Sequence, residues 1–136
     1  MQPKRSGRFD LRAIGVIRST LKKRSEAEAR VGGCAGGVDR DRTVGIGGFA
    51  LQKAGDKVCV ITWFHYGDRE VLQVHPRSDP KRALTGVFAT RSPDRPNPLG
   101  LHPVTVLEIA GNRLRVEPIE AIDGTPVVDI KPVLAY

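Results

Sequence analysis

Apolar and polar positions along this chain alternate in short runs, each closed by turn residues. The clearest strand is Lys57 to His65. Val58-Cys59-Val60-Ile61-Thr62-Trp63-Phe64 is apolar at both parities, which predicts burial of both faces. Phe9 to Arg18 reads as a first strand, with Leu11 and Ala13 alternating against Arg12 before Gly15 breaks the pattern. Val71–His75, Gly86–Thr90, Val104–Ile109 and Val127–Lys131 supply further strands. In Leu114-Arg115-Val116-Glu117 the two apolar residues face in and the two charged ones face out. Gly111-Asn112 is a good hairpin centre, and Asp123-Gly124-Thr125-Pro126 is a turn. Thr20 to Arg30 is charged and admits a short helix, and Gly32 to Gly37 is linker chemistry. The expected fold is mainly β, a barrel or sandwich with minor helix near residues 20–30.

Between two of the apolar runs lies Arg91-Ser92-Pro93-Asp94-Arg95-Pro96-Asn97-Pro98-Leu99-Gly100. Ser92, Arg95 and Asn97 each precede a proline, so the segment is expected to be extended and stiff. Guanidinium groups on a stiff loop are preorganised for carboxylate or phosphate.

The 136 residues suit one domain, 1–136, with residues 1–8 a flexible basic N-terminus. A net charge of +7 favours an anionic partner such as nucleic acid. No apolar run is long enough to span a bilayer as a helix, and nothing resembles a secretory leader, so a reduced cytoplasmic protein is expected. Cys34 and Cys59 are too few for a disulfide scaffold, and His65, His75 and His102 show no close-spaced ligand pair, so no metal is expected. Gly45-Ile46-Gly47-Gly48 misses the dinucleotide-binding spacing and no long helix follows, which argues against a Rossmann fold.

His65, Arg91, Arg95, Glu120 and Asp123 all fall at strand ends or in loops. Barrel closure that brought those ends together would make one polar pocket with both charge signs, suited to a zwitterionic ligand. Taken singly, His65 reads first as a polar tip on a strand, and Asp123 as a turn former bonding its own backbone.

The stretch Gly86-Val87-Phe88-Ala89-Thr90-Arg91-Ser92-Pro93-Asp94-Arg95-Pro96-Asn97-Pro98-Leu99-Gly100-Leu101 resembles the signature of the TsaA-like, or TrmO, family. Ile14-Gly15-Val16-Ile17-Arg18-Ser19, Trp63-Phe64-His65 and Asp123-Gly124-Thr125-Pro126-Val127-Val128-Asp129-Ile130-Lys131-Pro132 agree with it, in the family's order. The chain departs from the family pattern at Tyr66, where Gln is usual, and in Glu28 to Gly33, which contains no Gln.

The resemblance implies a single small β-barrel, a homodimer, and an S-adenosylmethionine-dependent tRNA methyltransferase. Its acceptor would be the N6 nitrogen of N6-threonylcarbamoyladenosine beside the anticodon. The implied cofactor contacts are Phe64, His65, Tyr66, Arg91, Leu101 and the segment Glu120, Ala121, Ile122, Asp123 and Gly124. Arg95 and Asn97 are the implied substrate contacts. Arg91 suits the methionine carboxylate, Glu120 or Asp123 the sulfonium, and Leu101 and Phe64 the adenine. His65 or Asp123 is the candidate base. A methyltransferase with another small-molecule or nucleic-acid acceptor, and a non-catalytic RNA-binding barrel, remain the alternative readings.

Overall fold

The computed structural model describes residues 7–19, 29–32, 48, 50–111 and 113–134. Six strands close a barrel: β1 (Gly15–Ser19), β2 (Ala29–Gly32), β3 (Lys57–Trp63), β6 (Leu99–Ala110), β7 (Arg113–Glu117) and β8 (Pro126–Pro132). The order around it is β1-β2-β7-β6-β3-β8, every neighbour antiparallel. A separate two-stranded ribbon pairs β4 (Gln73–Val74) with β5 (Thr85–Gly86).

Alternation fills the interior. On β6, Gly100, His102, Val104 and Val106 point in, and on β7 Leu114 and Val116 do the same. Val104, Val106, Leu114 and Val116 join Ile17, Val58, Val60, Ile119, Ala121 and Val127 in one buried cluster. Such burial is the main driving force for a small barrel. Register shifts between Ile61 and Thr62 against β8, and between Val106 and Glu108 against β7, add the local bend that closure requires.

The mainly β architecture agrees with the sequence pattern, while several element boundaries differ. The first strand begins at Gly15, not Phe9: Phe9 and Leu11 are 80% and 58% exposed and unpaired. Strand β3 buries only its inward face. Cys59, Ile61 and Trp63 on the other face are half-buried, because no further layer among the described residues covers that side of the sheet. Residues 29–32 form β2 where a helix near residues 20–30 was expected; residues 20–28 lie outside the described set. Cys34, most of the Gly32–Gly37 stretch and residues 1–6 of the basic N-terminus also lie outside it. The Gly111 turn joins β6 to β7 at φ +61°, a conformation in which glycine carries no side-chain penalty.

Candidate functional site

The end of β3 and the start of β6 meet the proline-rich loop and the segment before β8 around one cavity of about 780 Å3. Phe64, His65, Tyr66 and Gly67 form one wall, and Thr90, Arg91, Pro93, Arg95 and Asn97 a second. Inward-pointing Gly100 and His102 make the floor, exposed Leu99 and Leu101 line its outer side, and Glu120, Ala121, Ile122 and Thr125 the remaining side. Ten of the twelve residues expected from the sequence therefore share a cavity. Asp123 and Gly124 do not line it. Asp123 lies next to Ile122 in sequence, with its carboxylate 3.9 Å from the Arg18 guanidinium.

The loop's stiffness comes from more than its prolines. Arg95 acts as an internal clamp: one guanidinium nitrogen donates to the carbonyls of Thr90 and Ser92 at 3.0 and 3.3 Å, and the other to that of Val87. Arg69 holds the far side, donating to the Pro96 carbonyl at 2.7 Å and to Asn97 Oδ1 at 3.1 Å. Its guanidinium carbon also sits 5.2 Å from the Trp63 ring centre. The Asp68 amide donates to Asp94 Oδ1 at 2.9 Å, and the Phe64 amide to the Pro98 carbonyl at 2.7 Å. Two arginines that look alike in sequence thus do different things: Arg95 is spent on the loop, and Arg91 is left for the cavity.

Close approach explains two glycines. A methyl group on Gly100 would lie 2.5 Å from the Phe64 ring and 2.6 Å from Thr62 Oγ1. On Gly67 it would lie 2.3 Å from the Pro93 carbonyl oxygen. Without side chains at these positions the β3 exit folds tightly against β6 and the loop.

The electrostatics are uneven. Arg91 and Glu120 are both exposed to the cavity, and neither forms an ion pair or side-chain hydrogen bond among the described residues. His65 is exposed, its ring 4.1 Å from that of Tyr66 at 40°. Beneath them His102 is 8% exposed, with Nε2 2.8 Å from Thr62 Oγ1 and its ring edge-on to Phe64 at 5.7 Å. Burial first, and the Arg91 charge second, lower its pKa from 6.5 to about 4. His102 is therefore a neutral hydrogen-bonding group at physiological pH and a weak base. Sequence reasoning did not select it for the site, although it occupies an inward parity position in an otherwise apolar strand. Among the described residues no cluster of side chains could hold a metal ion, and no helix is long and apolar enough to cross a membrane.

A six-stranded antiparallel barrel with an open, doubly charged cavity at one end defines a small ligand-binding β-barrel distinct from the Rossmann methyltransferases. Residues 43–136 match the tRNA-methyltransferase O N-terminal domain, and the chain belongs to that family. A protein of Methanothermobacter thermautotrophicus, named a probable S-adenosyl-L-methionine-binding protein, is 41% identical over 128 residues, covering 90% of this chain and 88% of that one. An S-adenosyl-L-methionine-binding protein of Archaeoglobus fulgidus is 37% identical over 123 residues, covering 89% and 86%. A further probable S-adenosyl-L-methionine-binding protein, from Methanocaldococcus jannaschii, is 47% identical over 83 residues, which are 58% of this chain and 66% of that protein. The crystal structure of TrmO from Pseudomonas aeruginosa has the same fold, with a TM-score of 0.69 at 22% identity over 97% of this chain and 57% of that one. This chain therefore corresponds to a little over half the length of that TrmO.

Proposed function

We propose that the protein binds S-adenosylmethionine in this cavity and transfers its methyl group to tRNA, the acceptor being the N6 nitrogen of N6-threonylcarbamoyladenosine beside the anticodon. The observation that carries the reading is the pair of opposite charges, Arg91 and Glu120, facing one cavity with no described counter-charge. That arrangement fits a ligand bearing both a carboxylate and cationic groups. Arg91 offers its planar fork to the carboxylate. Glu120 faces the cationic part. Phe64 and Leu101 give the adenine an apolar slot, with His102 as the neutral polar group on the floor.

When bound, the cofactor supplies an electrophilic methyl on a sulfonium. Transfer is an in-line displacement, so the clamped loop contributes chiefly by holding the donor's position. Of the two base candidates, His65 lines the cavity and Asp123 does not, which favours His65 as the acceptor of the N6 proton. His102 is too weakly basic for that role.

The outer face of β3 and β6 supports a homodimer. Trp63 pairs with Leu99, Ile61 with Leu101 and Cys59 with Pro103, a continuous apolar strip on the solvent side. Leu99 and Leu101 are 40% and 49% exposed and also line the cavity, so a second copy seated there would narrow its mouth.

Calorimetry with S-adenosylmethionine tests the cavity. Arg91→Ala is expected to weaken binding by about tenfold or more while the fold is retained. Unchanged affinity would reject Arg91's role. Mass spectrometry of tRNA nucleosides from cells lacking the protein tests the acceptor: the methylated threonylcarbamoyladenosine should vanish.

A further inference from the structure

We infer that His102 presents its Nδ1–H to the cavity as a fixed, uncharged donor that reads an unprotonated ring nitrogen of the ligand's purine, and that Thr62 sets this tautomer. The inference rests on the cofactor-binding reading above and deepens it, naming the atom by which the cavity tells adenine from another flat ring.

Two buried polar side chains meet at the end of an otherwise apolar interior. Thr62 on β3 and His102 on β6 both point inward, 0% and 8% exposed, with Thr62 Oγ1 2.8 Å from Nε2. Gly100 stands directly opposite Thr62, and a methyl group there would lie 2.6 Å from Oγ1. The glycine thus leaves the space in which the two side chains meet. A buried hydroxyl proton needs an acceptor. Among the described residues the only acceptor within reach of Thr62 Oγ1 is Nε2. Thr62 therefore donates, Nε2 is the lone-pair nitrogen, and the proton of the neutral ring sits on Nδ1. This tautomer is the one that completes the hydrogen-bond network.

Nδ1 has no protein partner among the described residues, and it is not sealed from solvent either. Because His102 lines the cavity, the open side of its ring is the cavity side. The ring has little freedom to turn away, held by Thr62 at one nitrogen and packed edge-on to Phe64 at 5.7 Å. Its lowered pKa, about 4, means that the donor is an uncharged N–H at physiological pH.

A neutral donor beside apolar walls suits a neutral acceptor. The ligand's carboxylate has the Arg91 fork, which serves an anion better than an imidazole does. Phe64 packs on the imidazole and Leu101 precedes it on β6, and these two residues form the slot assigned to the adenine. Stacking and burial alone hold any base alike. A buried donor discriminates, because a ligand without the matching acceptor leaves it unpaired.

Calorimetry with S-adenosylhomocysteine and its deaza analogues, in which one purine ring nitrogen at a time is replaced by C–H, tests the donor. The wild type should bind one analogue about five- to tenfold more weakly than the parent compound, and the others nearly as well as the parent. His102→Gln, whose amide can reach Thr62 but leaves no donor at the Nδ1 position, should weaken the parent by the same factor and no longer distinguish that analogue. His102→Asn, whose amide nitrogen replaces Nδ1, should recover most of the affinity. A side chain that only packs would not split the two variants this way. Ring-nitrogen NMR shifts of the ligand-free protein should show Nδ1 protonated and Nε2 not, and Thr62→Val should mix the two tautomers. Should the variants fail to fold, the wild-type analogue series and spectrum still decide. Equal binding of every analogue by the wild type, a protonated Nε2, or a folded His102→Gln with wild-type affinity and selectivity would each overturn the proposal while leaving the cavity reading standing. A wild type that binds neither S-adenosylhomocysteine nor S-adenosylmethionine would refute the cavity reading as well.

Discussion

Acidification should destabilise this barrel through the ring of His102. The imidazole is buried, bonds Thr62 Oγ1 at 2.8 Å, and has its pKa lowered from 6.5 to about 4. In the unfolded chain it titrates near its ordinary value, so between the two pKa values unfolding takes up a proton. A folded-state pKa below the unfolded one means the contribution is complete above 6.5 and is lost as pH falls toward 4. At roughly 1.4 kcal/mol per pKa unit, the whole window is worth about 3 kcal/mol, a large share of a small domain's stability. Urea denaturation of wild type and His102→Gln across this range isolates the effect, since all other titrating groups are common to both. The wild type should lose about 3 kcal/mol more than the variant on going from neutrality to pH 4. An NMR titration of the ring should place its midpoint well below 6.5, and Arg91→Ala should move it up, because the second cause is removed. A ring titrating at the ordinary value, or a stability difference flat with pH, would refute the reasoning.

Gly100→Ala forces a methyl group into the Phe64 ring and Thr62 Oγ1, and should cost about 1–3 kcal/mol in thermal melts while weakening S-adenosylmethionine binding. Arg95→Lys replaces a fork that serves three carbonyls with a single ammonium, and should lower stability by about 1–3 kcal/mol. Wild-type stability in that variant would show that the clamp is ornamental. Ile61→Glu places a charge in the apolar strip; if that strip is the dimer seam, sedimentation should find dimers for the wild type and monomers for the variant.

Much of this was legible in the residue pattern, for reasons that differ by element. Leu114 and Val116 alternate with charged neighbours, so β7 and its facing were readable directly. The proline-rich loop announced its stiffness, yet nothing local says that Arg95 bonds its own loop while Arg91 does not; that depends on how the chain turns back at Val87. Arg69 was invisible for the same reason, its partners at Pro96 and Asn97 lying 27 and 28 residues away. Phe9 and Leu11 carry a strand's alternation, but pairing with β8 begins only at Gly15. His102 had a usable signal. In Gly100, His102, Val104 and Val106 it is the one ionisable side chain on an inward parity, and parity alone places it beneath the cavity.

Because the six barrel strands hydrogen-bond all the way round, the main sheet offers no open backbone edge that another polypeptide could extend. Each ribbon strand is only two residues long, too short to template one. Any complex this fold enters through its barrel must be written in side chains, so point substitutions should erase partnerships one at a time while the hydrogen-bonded cylinder stays whole.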